Sequence, residues 1–383
     1  MNVLCYKFRL YPSKAQETAL NETLTVCRLV YNSMVHERTV VHERGEKPPT
    51  FYTQVPALAQ WKTDHPELKT VHSQVLQNVG RRVELAFQAF FRRIKAGETP
   101  GYPRLKGKEQ YDSIAYPQGP FRIGASTVAL PKIGQIKAKL HRAIVAEVKT
   151  YTVRRYGHKW FVCFSAEQED SPLPACTDTI GLDAGLTSFM ALSNGEFIDN
   201  PRFFHRDEKA LAKAGRRQAK TKKRSLARRK ANKVLSRIHE RIRNRRHDFV
   251  HQTARRLVNR FGVIAVEKLD VKNMLGNHCL AKSISDASWS VFRFVSVSLF
   301  VLTDKAESAG RKVVAVDPRY TLQDCHACGY RAKKKLSERW HHCPMCGASL
   351  DRDTNAAINI LNLCRTIPSQ GEPVEAPGFS RRE

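Results

Sequence analysis

Over residues 4–10, Leu4, Tyr6, Phe8 and Leu10 alternate with Cys5, Lys7 and Arg9, the period of two that marks a half-buried strand. The period then changes. Pro12-Ser13 ahead of Lys14-Ala15-Gln16 reads as a capping-box start, and Leu20, Leu24, Cys27, Tyr31 and Met34 follow at helical spacing. A second helix is marked by Val75, Val79, Val83, Ala86, Phe90 and Ile94, with Arg81, Arg82, Arg92 and Arg93 along it. The segment Pro100-Gly101-Tyr102-Pro103-Arg104 breaks that rhythm, and residues 113–167 become strand-like, clearest at 127–130 and 159–164. A strand before the helices and strands after them predict one β-domain interrupted by a helical insertion. Ser171-Pro172-Leu173-Pro174 reads as the linker out of it.

The second half has another order. Thr179-Ile180-Gly181-Leu182-Asp183 reads as a strand ending in a carboxylate, Ser188 to Leu192 as a second, and Asn194-Gly195 as a hairpin turn into Glu196-Phe197-Ile198. Residues 209–246 hold seventeen Lys or Arg against one acid, Glu240, while Leu211, Leu226, Leu235 and Ile238 are too sparse for a full core face. Next come a helix ending near Arg260-Phe261-Gly262, a buried strand over 263–267, an apolar helix over 287–308 closed by Gly310, and a strand over 312–316. A final helix starts at Asp353-Thr354-Asn355. With the cysteine-bearing segment before it set aside, the order is βββαβαβα, that of the RNase H fold.

Length and charge add a partner to this outline. A chain of 383 residues exceeds what one core usually holds, so a multidomain α+β protein is expected. Its net charge of +29 exceeds what solubility requires, and more than half of it lies in residues 209–246, where a solvated face would interleave both signs. Phosphate contact is the expected role, with Arg216, Arg217, Lys220, Lys222, Lys223, Arg224, Arg228 and Arg229 as candidates. The first residues show no secretory pattern, and the best apolar run, 291–302, holds Arg293, Ser296 and Ser298 and is too short to span a bilayer. A cytoplasmic protein without membrane contact is expected, bound to the nucleoid when on DNA. Cys5, Cys27, Cys163, Cys176, Cys279 and Cys364 are scattered singly, which fits a reducing compartment. Residues 364–383, rich in Pro, Gly and charge, read as a disordered tail.

The other four cysteines form a pattern. Cys325-x-x-Cys328 and Cys343-x-x-Cys346 have the spacing of two zinc knuckles, each followed by a glycine, Gly329 and Gly347, that lets backbone N–H groups approach the sulfurs. Four thiolates leave no open position for water, so one structural Zn²⁺ is expected. His326, His341 and His342 are spare ligands.

Three acids complete the chemistry. In an RNase H sheet the first and fourth strands are neighbours, so Asp183 and Glu267 should lie side by side with Asp353, at the start of the last helix, over them. Carboxylates so placed suit two Mg²⁺ ions and phosphodiester hydrolysis. Singly, Asp183 reads equally as a turn residue, Glu267 as an ion-pair partner and Asp353 as a helix cap, and Asp351 competes for the third position. Asn355 is a possible helper.

Several stretches resemble the TnpB (insertion-sequence OrfB) family, transposon-encoded relatives of type V CRISPR effector nucleases. They include Tyr6-Lys7-Phe8-Arg9-Leu10-Tyr11-Pro12, Cys27-Arg28-Leu29-Val30-Tyr31-Asn32, Gly101-Tyr102-Pro103-Arg104, Gly181-Leu182-Asp183-Ala184-Gly185, Val266-Glu267-Lys268-Leu269 and the run from Cys343 to Ala357. One departure is Leu322 in Thr321-Leu322-Gln323, where the family commonly has serine. The resemblance implies a β-barrel wedge domain (1–10 and 101–172) with an inserted helical recognition domain (11–100). It also implies a RuvC-like nuclease domain of RNase H fold (173–324 and 350–363) with an inserted zinc finger (325–349). Activity is implied too: an RNA guide from the transposon end directs double-stranded DNA cleavage next to a transposon-adjacent motif. By this likeness Asp183, Glu267 and Asp353 are the catalytic acids. Gln74, Gln77 and the segment Tyr116-Pro117-Gln118 are where the adjacent motif would be read. The rival readings are a catalytically silent RNA-guided repressor and a DNA-binding accessory to transposition.

Overall fold

A computed structural model describes residues 2–119, 122–168, 172–185, 187–268, 295–334 and 338–366. The chain divides into two compact units, Met1–Glu169 and Asp170–Glu383.

In the first unit the opening strand β1 (Asn2–Tyr11) is interior to its sheet. It pairs antiparallel with β6 (Lys159–Gln168) on one side and β4 (Gly134–Lys139) on the other. With β2 (Ser113–Tyr116), β3 (Thr127–Leu130) and β5 (Glu147–Tyr156), the six strands run in the order β2-β5-β6-β1-β4-β3. Among the described residues no pairing joins β2 to β3. The alternation in β1 holds from Tyr6 onward: Tyr6, Phe8 and Leu10 are buried with Val162 and Phe164 of β6 and Lys7 faces out, whereas Leu4, expected on the buried face, is exposed. The helices α1 (Lys14–Glu43), α2 (Phe51–Asp64) and α3 (Ser73–Lys95) are inserted between β1 and β2. Ser13 and Gln16 cap α1 reciprocally, as the sequence indicates.

Helix α2 has no counterpart in the sequence reading, for a physical reason. It buries only Gln54 and Leu58 and contains Pro56, so it lacks the apolar stripe that periodicity detects. Its anchor is polar: the buried Gln54 amide donates to Met34 O (3.0 Å) and to the Glu37 carboxylate (2.7 Å), and accepts from Arg38 Nε (2.9 Å).

The second unit holds a five-stranded mixed sheet, β11-β10-β7-β8-β9. Strands β7 (Thr179–Asp183), β8 (Ser188–Leu192) and β9 (Phe197–Asp199) form an antiparallel meander whose Asn194-Gly195 turn places Gly195 at φ +86°. Strand β10 (Val263–Glu267) lies parallel between β7 and β11 (Lys312–Val316). First and fourth strands are therefore neighbours, the RNase H order. Between β9 and β10 run α4 (Phe203–Ala219) and α5 (Leu226–Arg260), α6 (Val295–Ser308) precedes β11, and α7 (Arg352–Thr366) comes last. Of the apolar helix expected over 287–308, residues 287–294 lie outside the described residues. The tail expected from Cys364 starts too early: α7 continues through Thr366, and Cys364 packs on the cluster of Ala265, Val316 and Ile360. Residues 367–383 lie outside the description. Among the described residues no helix is long and apolar enough to cross a membrane.

Helix α7 meets the sheet at a glycine. A Cβ on Gly181 would stand 2.0 Å from Ala357 O and 2.9 Å from Leu361 N, both backbone atoms that a rotamer change cannot move. Gly181→Ala should therefore destabilise the second unit by about 3 kcal/mol or more, at the upper end of overpacking effects. Its thermal midpoint against wild type checks this.

Candidate active site and metal centre

The parallel register Val266↔Leu182 puts the next residues of the two strands, Glu267 and Asp183, side by side at the sheet's end. The two carboxyls are near enough to perturb each other, and Thr321 Oγ1 donates to Glu267 Oε1 (3.1 Å). Asp353 enters from the first turn of α7. A Cβ on Gly185, two residues past Asp183, would lie 3.6 Å from Asp353 Oδ2, so this acid rests against the turn that carries Asp183. Asp183 and Asp353 are only 4% and 7% exposed, far below what a lone aspartate tolerates.

Electrostatics record the crowding. Burial raises the Asp183 carboxyl well above the usual carboxylate range, and the charges of Glu267 and Asp353 push the same way against Arg352. Glu267 is pushed up to about 7, chiefly by burial, against hydrogen bonds from Thr321 and Asp183. A proton on Asp183 shared with Glu267 satisfies both directions. Among the described residues two guanidiniums meet Asp353: the buried Arg352, whose Nε and Nη2 each reach Oδ1 at 3.1 Å, and Arg339, 3.7 Å from Oδ2. Both of these guanidiniums pair with Asp353, while Asp183 and Glu267 face each other. Their hard oxygens fit divalent cations of the Mg²⁺ type.

Capping separates Asp351 from Asp353. Asp351 Oδ1 accepts from the backbone N–H groups of Asp353 (2.8 Å) and Thr354 (3.1 Å), the work of an N-cap residue. Asp353 has no such duty and faces the other acids. Asn355, expected near them, is engaged elsewhere. Its Oδ1 accepts from His326 N (3.0 Å) and its Nδ2 donates to Asp324 O (2.8 Å), while Asn359 holds Thr321 O and Asp324 O. Helix α7 thus grips the loop that leads into the first cysteine knuckle.

The four cysteines do converge. Sγ atoms of Cys325, Cys328, Cys343 and Cys346 all lie within 4.8 Å of one another, with Cys325–Cys346 at 3.6 Å and Cys328–Cys343 at 3.5 Å. A tetrahedron with metal–sulfur bonds of ~2.3 Å needs edges of roughly 3.8 Å. Gly329 (φ +75°) and Gly347 (φ +73°) turn each knuckle, their N–H groups donating to Cys325 O and Cys343 O. Against burial, the backbone N–H groups of Cys346 and Met345 hold the Cys343 thiol down at about 6, favouring the thiolate a metal needs. The spare histidines are not required: His326 is bonded to Asn355, and His341 is buried beside Lys334. The second knuckle spans the hairpin β12 (Trp340–His342) to β13 (Ser349–Asp351), and β13 runs directly into α7.

The basic segment folds as α4 and α5 packed on a small core of Ala214, Ile238 and Ile242. Arg216, Arg217, Lys220, Lys222, Lys223, Arg224 and Arg229 are exposed around its turn. Arg228 is not free like them, since its guanidinium donates to Gln218 O and Thr221 O and closes the turn. In the first unit, the Gln74 amide bonds Gln118 Oε1 (3.1 Å) and Gln77 is exposed. Tyr116 is no candidate for reading bases: it is 2% exposed and stacks on Tyr151 at 4.6 Å. Thr321 and Arg352 are site residues that sequence reasoning missed. Their traces were the Thr321-Leu322-Gln323 triplet and, for Arg352, its place between Asp351 and Asp353.

The fold is that of the small CRISPR effector nucleases. A Cas12f1–sgRNA–target DNA complex superposes with a TM-score of 0.58 at 12% identity, covering 94% of this chain and 99% of that one. The mini-RNA-guided endonuclease Cas_phi3 gives 0.50 at 9% identity, covering 94% and 92%. Family profiles described as "Probable transposase" of the IS605 OrfB type and "Cas12f1-like, TNB domain" match residues 161–278 and 299–360. A third, named for a helix-turn-helix, matches residues 1–47, which fold as β1 and the single long helix α1. A Streptomyces pristinaespiralis protein named putative RNA-guided DNA endonuclease is 36% identical over 93% of this chain and 88% of its own length. The Escherichia coli K12 protein InsQ, of the same description, is 31% identical over 97% and 94%. The chain belongs to the TnpB (IS605 OrfB) family.

Proposed function

We propose that the protein is an RNA-guided DNA endonuclease whose RuvC-like centre, Asp183, Glu267 and Asp353, hydrolyses phosphodiester bonds of double-stranded DNA. The observation that carries this is the convergence of three acids, far apart in sequence, at one end of an RNase H-ordered sheet. Two Mg²⁺ ions on these oxygens would supply an activated water and a stabilised leaving oxygen. The chain's own residues hold the frame: Thr321 orients Glu267, Arg352 orients Asp353, and the Asp351 cap sets the angle at which α7 delivers Asp353. The four cysteines would hold one structural Zn²⁺ that fixes the β12–β13 hairpin against α7.

Sequence reading would fall to base pairing with a guide RNA from the transposon end, while the exposed cations at the α4–α5 turn hold backbone phosphate. The wedge, recognition, nuclease and zinc-finger layout belongs to this proposal, as does a site of action in the cytoplasm, on the nucleoid. Gln74, Gln77 and Gln118 form the surface proposed to read the transposon-adjacent motif.

The test is to purify the protein with the RNA that accompanies it, sequence that RNA, and offer matching double-stranded DNA with Mg²⁺. Cutting confined to matched targets is expected. Binding without cutting would identify a silent repressor, and the absence of any bound RNA would remove the guided part.

A further inference from the structure

A second polar cleft lies in the nuclease unit, away from the three acids. It has a volume of about 780 Å³ and runs beside the edge strand β9, walled by α4 and α5. From α5 it takes Arg256 and Arg260, like charges at i,i+4 spacing on one helix, and from the entry to α4 the N-cap residue Arg202 and Arg206. Such pairs oppose helix formation unless an anion lies between them. Two carboxylates line the same cleft, Glu196 and Asp199. Glu196 is consumed by Arg260 in a forked pair (2.7 and 2.8 Å), so the lining holds Arg202, Arg206 and Arg256 against one further carboxylate, Asp199.

Two further features point to an anion. Arg202 is the N-cap residue of the seventeen-residue α4, in the left-handed region (φ 44°, ψ 49°) and without a side-chain capping bond. A helix N-terminus already carries partial positive charge, so a cation there is the reverse of the usual preference. In the wall, Thr253 is 2% exposed and its hydroxyl has no hydrogen-bond partner. A buried hydroxyl without a partner is the kind of group an incoming oxygen satisfies.

The cleft also has a direction. Asp183 pairs with Ala191 of β8, and Ser188 of β8 pairs with Asp199 of β9, so the end of the cleft at Thr187 and Asp199 is the acid-bearing end of the sheet. We infer that this cleft anchors a backbone phosphate of a nucleic-acid strand that continues from the acids across β8 and β9, with Arg206 and Arg256 as the principal contacts. The inference rests on the nuclease reading but concerns binding and not cleavage. Guanidinium forks suit a phosphodiester, and the exposed ring of Phe197 at the rim offers a base a stacking surface.

The experiment measures binding of a fluorescein-labelled single-stranded 20-mer DNA to the full chain in EDTA, where no cutting occurs, across a salt series. The Arg206→Ala/Arg256→Ala pair should weaken binding about tenfold or more near 0.1 M salt. It should also flatten the slope of log K against log salt by about two contacts' worth. Arg206→Lys/Arg256→Lys should restore the slope with only part of the affinity, because charge returns without the fork. Thr253→Val should weaken binding several-fold with an unchanged or higher thermal midpoint, a result a purely structural threonine would not give. Inorganic phosphate titrated against wild type separates a free anion site. If phosphate binds through Arg206 and Arg256 but 20-mer binding ignores both, the strand assignment is wrong. Wild-type-like affinity and slope in the double alanine variant overturn the inference while leaving the nuclease reading intact. Failure of wild type itself to bind the 20-mer overturns both.

Discussion

Asp183→Asn will lower guided DNA cleavage by ~10³-fold or more, roughly 4 kcal/mol of lost transition-state stabilisation, while guide and target binding stay within about twofold. Asparagine keeps the volume and one oxygen but removes the charge that a divalent ion needs. Stability should move the other way. Asp183 and Glu267 both have folded-state carboxyls raised above their unfolded values. The stability they contribute is therefore complete below about pH 4 and is lost as pH rises through their folded values, near 7 for Glu267. In EDTA the thermal midpoint of wild type should fall between pH 5 and pH 8. Mg²⁺ should restore it, more at pH 8 than at pH 5, and Asp183→Asn should flatten both responses. A variant that cuts like wild type would remove Asp183 from the centre, and a midpoint indifferent to pH and Mg²⁺ would show that the acids are not mutually strained.

Cys346→Ser is expected to act at a distance. The cysteine cluster and the third acid are joined twice, by β13 running through the Asp351 cap into α7, and by Asn355 holding His326 N and Asp324 O. Structural zinc in small modules is worth on the order of 10 kcal/mol of local folding free energy, so its loss releases the hairpin. Cleavage should fall ~10- to 100-fold, the scale for losing groups that orient metal ligands. Amide exchange over residues 349–356 should rise, and bound zinc should drop below one per chain. Undiminished cutting by zinc-free protein would assign the knuckles to another task.

Where a side chain's role follows from strand period and order, the sequence was sufficient. Asp183 and Glu267 could be set side by side because β7 and β10 announce themselves as apolar runs and the RNase H order makes them neighbours. Paired CxxC spacing likewise predicts the cysteine cluster. The rest depends on contacts that leave no periodic trace. Asp351 and Asp353 are the same residue type two positions apart, and only the capping hydrogen bonds separate them. Arg228 is indistinguishable within a basic run, yet its guanidinium closes a turn. Helix α2 is held by Gln54 and Arg38, a buried polar network that an apolar-stripe search passes over. Thr321 acts through one hydrogen bond from a loop.

The close approach at Gly181 also bears on when the protein becomes dangerous to DNA. Synthesis delivers Asp183, then Glu267, and only much later the helix that lies on Gly181 and brings Asp353. Until α7 has been made and has docked, the sheet offers two acids and a vacant channel along β7. The third acid of the proposed centre is thus delivered by the docking of one late helix.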